Sequence, residues 1–95
     1  MYKITEYSFN QAKKLGVEIK PSKTKNKKID VYKNGRKLYS IGNIHYGDFP
    51  TYLREFGKNM ADERRRRYKQ RHEKDRKVIG SRGYYADKII WYIQF

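Results

Sequence analysis

The residues best suited to binding a ligand are the arginines of one highly charged segment. Four consecutive arginines occupy positions 64–67, and Arg71 follows a turn later. On a helix, four successive side chains spread over roughly 300° of the circumference, so no single surface contacts them all. Arg64, Arg67 and Arg71 have i, i+3, i+7 spacing and share one face, which Lys74 would extend. Such a row of cations is suited to neutralising successive phosphates of a nucleic acid.

Two other interpretations of this segment stay open. It contains four acidic residues, several of them four positions from an arginine or lysine, which is the spacing of ion pairs along a solvated helix face. The second interpretation is contact between the basic face and an acidic protein.

A second basic element lies at positions 20–28 (KPSKTKNKK), which hold five lysines and no acidic or apolar residue. Because this segment can bury nothing, we expect a mobile loop. Flexible lysines contact phosphate without reading bases, so they would add affinity but no sequence preference. The predicted contacts in this loop are Lys23, Lys25, Lys27 and Lys28.

A third candidate contact is Arg82, in the turn Gly80-Ser81-Arg82-Gly83. A turn of this kind at the start of a helix exposes backbone N–H groups, and the helix dipole there favours an anion. The alternative is a plain connection between two helices.

The aromatic residues allow two interpretations. Exposed tyrosines among lysines and arginines could stack on unpaired bases. However, Leu, Ile, Val and Phe make up only 19 of 95 residues, against ten Tyr and one Trp. With so few aliphatic side chains, we expect most tyrosines to serve as core, with the hydroxyl reaching the surface.

Several classes of function are excluded by what the chain lacks. There is no Cys, and the two histidines, His45 and His72, do not have the spacing of metal ligands. No Ser/His/Asp arrangement suggests a nucleophile. We therefore expect no enzyme activity, no catalytic residue, no metal, no cofactor and no small-molecule substrate.

The overall charge indicates the class of partner. Twenty-four Lys and Arg against ten Asp and Glu give a net charge of +14, which attracts polyanions. No helix combines a basic face with a continuous apolar face, and the longest apolar run, 89–93, is far shorter than the ~20 residues of a membrane span. The first residues contain no apolar signal core, so we expect an intracellular protein with no membrane partner.

The elements that position these residues begin with a short helix and a hairpin. Ser8 and Gly16 bracket a helix over 9–15, and Val17 and Ile19 alternate as a brief strand or extended arm. Asn34 and Gly35 then predict a hairpin over about 28–41 with a type I′ turn.

A two-residue hairpin loop fixes which residues face each other. It pairs Val31 with Leu38 and places Ile41 on the outer face. Because a lone hairpin is marginal in water, its inner face must pack against helices.

Three further helices are predicted to follow. Asp48 caps the first, which has Pro50 in its first turn. Its expected apolar side holds Tyr52, Leu53 and Phe56. Positions 58–77, with ten basic and four acidic residues, form the longest helix, and Ser81 caps a last one over about 82–92 that covers the hairpin.

Three stretches carry a resemblance to known proteins: Ile44–Gly57, Ala61–Arg76 and Gly80–Trp91. Together they resemble a group of small, basic, functionally uncharacterised proteins encoded by large double-stranded DNA viruses of algae and amoebae. The resemblance implies a viral product that acts on the viral genome or inside the virion, in the host nucleus or cytoplasm. It implies no site residues.

The sequence therefore predicts a single α+β domain over 1–95, with one hairpin packed by three or four helices. The expected function is nucleic-acid binding through the phosphate backbone, with little sequence preference. DNA is favoured over RNA by the viral resemblance. The alternative is a minor capsid or cement protein that docks on acidic surfaces of other virion proteins.

Overall fold

A three-stranded antiparallel sheet and four α-helices make up residues 2–91, the part of the chain that this computed structural model describes. In chain order the elements are α1 (Glu6–Leu15), β1 (Glu18–Pro21), β2 (Lys27–Lys33), β3 (Arg36–Asn43), α2 (Phe49–Phe56), α3 (Lys58–Arg71) and α4 (Arg82–Ala86). A 3₁₀ turn at Asp75–Lys77 follows α3, and α4 continues into a π-helical turn at Asp87–Trp91. The α+β class is confirmed, with one strand more than the predicted hairpin.

The β2–β3 turn has the predicted geometry. Asn34 and Gly35 have φ of 53° and 78°, the left-handed values that both central positions of a type I′ turn require. Lys33 faces Arg36 across the turn, as expected.

The predicted register fails two residues further along. Leu38 is an extra residue in β3, so Val31 faces Tyr39 and Ile29 faces Ile41. A one-residue slip exchanges the two faces of a strand, and this bulge therefore brings Ile41 into the core, where it is 1% exposed.

The lysine-rich segment 20–28 contains a shorter loop than predicted. Its first two residues end β1, the edge strand, and its last two begin β2, the strand that pairs antiparallel with β1. Only 22–26 connect them. Ser22 is buried, and its hydroxyl donates to Asp30 Oδ1 at 2.6 Å, a bond that sequence patterns do not reveal. The predicted long loop is wrong because β1 supplies hydrogen-bond partners for its ends.

Helix α1 begins earlier than predicted. Thr5, and not Ser8, caps it, with Oγ1 accepting from the Ser8 N–H at 3.3 Å. Ser8 is buried instead and donates to the Ile89 carbonyl at 3.0 Å, which ties α1 to the π turn. Gly16 ends the helix with φ 71°, as predicted.

Helix α2 has the predicted cap but a different buried face. Asp48 accepts from the Thr51 N–H at 3.0 Å, and Pro50 lies in the first turn. Phe49, 1% exposed, is the side chain that enters the core, whereas Leu53 and Phe56 are 43% and 61% exposed. The expected apolar side of this helix was therefore wrong at two of its three positions.

Helix α3 ends at Arg71, six residues before the predicted end at 77. The chain then folds back so that the 3₁₀ turn packs on α4. The contact is tight at Gly83, where a Cβ atom would lie 2.7 Å from the Asp75 Cβ. Tertiary packing thus breaks a helix that local propensity would have continued.

The last helix is capped as predicted, with Ser81 accepting from the Tyr84 N–H at 3.1 Å. It covers the sheet, and the rings of Tyr85 and Tyr39 lie 6.1 Å apart. The predicted extension to Tyr92 lies outside the described residues. No helix within residues 2–91 is long and apolar enough to cross a bilayer.

Candidate nucleic-acid interface

A groove of about 980 Å³ is lined by α3, by the first residues of β2 and the last of β3, and by the turn before α4. Three predicted contact residues, Arg64, Arg67 and Arg71, lie along its α3 side and are exposed. Their i, i+3, i+7 spacing therefore places them on one wall, as the sequence predicted. Lys27 and Arg82 join them from β2 and α4.

The other predicted contacts lie elsewhere. Lys23 and Lys25 are exposed in the β1–β2 connection, and Lys74 is exposed beyond the end of α3. None of the three is among the residues that line the groove. Because α3 stops at Arg71, Lys74 does not extend the arginine stripe, which corrects that prediction.

Lys28 borders the groove but is not available to phosphate. Its side chain is 4% exposed, and Nζ lies 3.0 Å from Oδ2 of Asp48, which is fully buried. The expectation of a flexible lysine at this position was wrong, because the two charges are sequestered together behind the groove.

Asp48 is fixed by three donors. Besides Lys28, the Tyr2 hydroxyl donates to it at 2.7 Å and the Thr51 N–H at 3.0 Å. Burial alone would raise the pKa of Asp48, but the Lys28 charge and these hydrogen bonds outweigh it and hold the pKa below its ordinary value. The pKa of Asp30 is also lowered, since hydrogen bonds from Ser22 and Ser40 and the Lys37 charge outweigh burial.

These two carboxylates predict how stability depends on pH. The pKa of each carboxyl is lower in the folded protein than in the unfolded chain, where it is about 4. Each carboxylate therefore contributes its full stabilisation at pH values above about 4, and this is lost as the pH falls through the pKa of the folded state. We expect the free energy of unfolding to be constant between about pH 5 and 7 and to fall below about pH 4. Urea unfolding followed by circular dichroism at a series of pH values measures this. Stability that rises on acidification would contradict it.

Electrostatics along the groove are strongly positive. Five cations, Lys27 and four arginines, line it together with a single carboxylate among the described residues, Asp75. Glu63 lies outside the groove and accepts from Arg67 Nε at 3.0 Å and from Arg66 at 2.8 Å. Hydrogen bonds from Arg66 and then Arg67 lower the pKa of Glu63 to about 2, so it stays ionised and orients Arg67 at the groove edge.

Aromatic rings support two of the groove arginines. The Arg64 guanidinium lies over the Tyr52 ring, 5.4 Å from its centroid, and that of Arg82 lies 5.6 Å from the centroid of Tyr39. Such cation–π contacts contribute roughly 0.5–1 kcal/mol at exposed sites. They keep the two cations near the groove while leaving their N–H donors for a ligand.

Three further rings pack together at the groove. Trp91 and Tyr68 are stacked, with centroids 4.8 Å apart, and the His72 ring lies 4.6 Å from Tyr68, tilted by 38°. Trp91 and Tyr68 are buried, at 9% and 5% exposed. The expectation that aromatic residues replace aliphatic core is confirmed for these two.

Tyr46 is the functional candidate that the sequence interpretation missed. It lines the groove with 72% of its surface exposed, in the connector between β3 and α2. The sequence did not single it out from the other tyrosines, for which base stacking and a core role both stayed open, although it sits between His45 and Gly47 in a segment without hydrophobic periodicity. That absence of periodicity was the signal available.

No group of three or more His, Asp or Glu side chains that could hold a metal ion is present within residues 2–91. No protein-family model, curated protein or solved structure matches the chain. The charge, shape and lining of the groove are therefore the basis for inferring a function.

Proposed function

We propose that this protein binds nucleic acid, with phosphates held in the groove and with little preference for sequence. The observation that carries the proposal is the convergence of five cations from β2, α3 and α4 on one concave surface, where Asp75 is the single carboxylate among the described residues. Four of the five are arginines, whose planar guanidinium matches phosphate oxygens in a bidentate manner. Contacts to phosphate fix the position of a nucleic acid but carry no base information.

The spacing along α3 supports contact with successive phosphates. A helix rises 1.5 Å per residue, so Arg64, Arg67 and Arg71 follow each other at about 4.5 and 6 Å along the axis. Each guanidinium can therefore reach a different phosphate of one strand. Most of the stripe is not engaged in ion pairs. Among the described residues, Arg67 is the only one of its three arginines that pairs with a carboxylate.

Salt dependence of binding tests the proposal. Neutralising five phosphates should make log K fall with log[salt] at a slope of about −3.5 to −4.5 for single strands and duplexes respectively. Replacing Arg64, Arg67 and Arg71 together by Ala should reduce the slope by about 2 to 3 and weaken binding to all sequences alike. Fluorescence anisotropy with labelled oligonucleotides at four salt concentrations measures both.

A charge-matched control separates the groove from net charge. Lys14, Lys33 and Arg36 are exposed and lie outside the groove, so replacing all three by Ala removes the same three charges. We expect this variant to keep most of the slope. A wild-type slope near −1, or equal losses in both triple variants, would contradict binding in the groove.

The alternative function, docking on acidic protein surfaces in a virion, is favoured by the exposed apolar side chains. Ile79 and Phe56 are 84% and 61% exposed and lie outside the groove, so phosphate binding there does not use them. Under this alternative the protein would associate with acidic virion proteins and show no salt-dependent binding to oligonucleotides.

A further inference from the structure

Tyr46 presents an aromatic ring that the fold does not use. Its side chain is 72% exposed, the most of any described tyrosine, yet its backbone is held by a hydrogen bond from its N–H to the Asn43 carbonyl at 3.1 Å. The connector is further tied down by the Ile44 N–H, which donates to the Asn26 carbonyl at 3.0 Å. An exposed ring on a fixed backbone is preorganised to meet a flat ligand.

A second ring surface is offered by His72. Its ring lies 4.6 Å from the ring of buried Tyr68, tilted by 38°, and its side chain is 40% exposed in the same groove. A planar group laid on His72 would therefore extend the cluster of rings formed with Tyr68 and Trp91. Tyr68 and Trp91 are buried and anchor this cluster in the core.

These rings and the arginine stripe together match the two parts of a nucleic-acid strand. Bases supply flat faces and phosphates supply negative charge, and proteins that bind single strands combine an aromatic platform with a basic track. In a duplex, both faces of each base are covered by its neighbours. The rings can therefore engage only unpaired bases.

The size of the groove points the same way. Its volume of about 980 Å³ is at the upper end of the ~300–1,000 Å³ usual for small-ligand sites, and the whole protein measures 37 × 29 × 25 Å. A short stretch of one strand fits inside, whereas a duplex would rest on the rim and leave the rings unused.

We propose that the groove selects single-stranded nucleic acid, with phosphates along the Arg64, Arg67 and Arg71 stripe and unpaired bases on Tyr46 and His72. This inference rests on the proposed function and specifies its ligand. DNA and RNA strands share the chemistry involved, so both are included as arms of the test.

The test compares four labelled ligands at one salt concentration by fluorescence anisotropy: a 15-nucleotide deoxythymidine strand, a 15-nucleotide uridine strand, a 15-base-pair DNA duplex and an abasic 15-mer that keeps every phosphate. We expect at least one of the two strands with bases to bind about tenfold or more tightly than the duplex and the abasic strand. Whichever of the thymidine and uridine strands binds with higher affinity identifies DNA or RNA as the preferred ligand.

Variants then assign the preference to the ring. Tyr46→Ala should lose about tenfold in affinity for the preferred strand and nothing for the abasic strand, whereas Tyr46→Phe should bind as wild type does. Phe9→Ala is the matched control, since Phe9 is an aromatic side chain 48% exposed on α1, outside the groove. Circular dichroism verifies that each variant is folded.

The outcomes separate this inference from the proposed function. Equal affinity for all four ligands, with the predicted salt slope, would leave phosphate binding in place and overturn single-strand selection. Loss of affinity in Tyr46→Ala that is the same on the abasic strand would also overturn it. Absence of binding to all four ligands would overturn the proposed function itself.

Discussion

Replacing Asp48 by Asn should lower the free energy of unfolding by about 3–5 kcal/mol. Asp48 is fully buried, and the Lys28 side chain that it neutralises is 4% exposed. Asn has the same shape and still caps α2, so the backbone hydrogen bond from Thr51 is kept. What is lost is the charge together with Oδ2, which accepts from both Lys28 and Tyr2, because the amide nitrogen takes its place. The Lys28 ammonium is left buried without a counter-ion. Urea unfolding at pH 7, followed by circular dichroism, measures the change.

Two comparisons isolate the buried charge as the cause. In the double variant Lys28→Met, Asp48→Asn no charge remains, and we expect most of the lost stability to return. The exposed pair Lys58–Asp62, at 2.7 Å, provides the matched control, and Asp62→Asn should cost less than about 1 kcal/mol. If Asp48→Asn lowered the free energy of unfolding by less than about 1 kcal/mol, the Lys28 ammonium would be reaching solvent through the groove that it borders.

The parts of the fold that the sequence predicted depend on short-range physics. The Asn34-Gly35 turn needs two positive φ values, and the caps at Asp48 and Ser81 need one side-chain oxygen near the next turn's N–H groups. Each is decided by two to four neighbouring residues, so each is visible in the sequence. The stripe of Arg64, Arg67 and Arg71 belongs to the same group, because helical spacing alone places its members on one face.

The parts that failed depend on partners distant in the chain. Lys28 looks like a loop lysine until Asp48, twenty residues away, is brought against it. Likewise the β3 bulge at Leu38 and the end of α3 at Arg71 are set by packing on α4 and the core. The groove follows this division, since the arginine face of α3 was predictable, whereas the convergence of Lys27, Arg82 and Tyr46 on that face was not.

The same substitution should have the opposite effect at Asp87. This carboxyl is also fully buried, but neither of its oxygens accepts a hydrogen bond from any residue within 2–91, and Lys88 Nζ is 3.7 Å away. An ionised carboxylate without hydrogen bonds costs more to bury than a neutral amide does. We therefore expect Asp87→Asn to raise the free energy of unfolding by about 1–2 kcal/mol, measured in urea as for Asp48→Asn.

The contrast between the two aspartates tests whether hydrogen bonding decides the sign. Asp48 has three donors, one of them a buried cation, and Asp87 has no donor within the described chain, although both are fully buried. If Asp87→Asn destabilised the protein by 1 kcal/mol or more, charge compensation from Lys88 would outweigh the missing hydrogen bonds. Asp87 begins the π turn that carries Trp91, the buried end of the ring stack. A stabilised Asp87→Asn variant that also bound the preferred strand less tightly would indicate that the buried Asp87 carboxyl costs stability but positions that stack for binding.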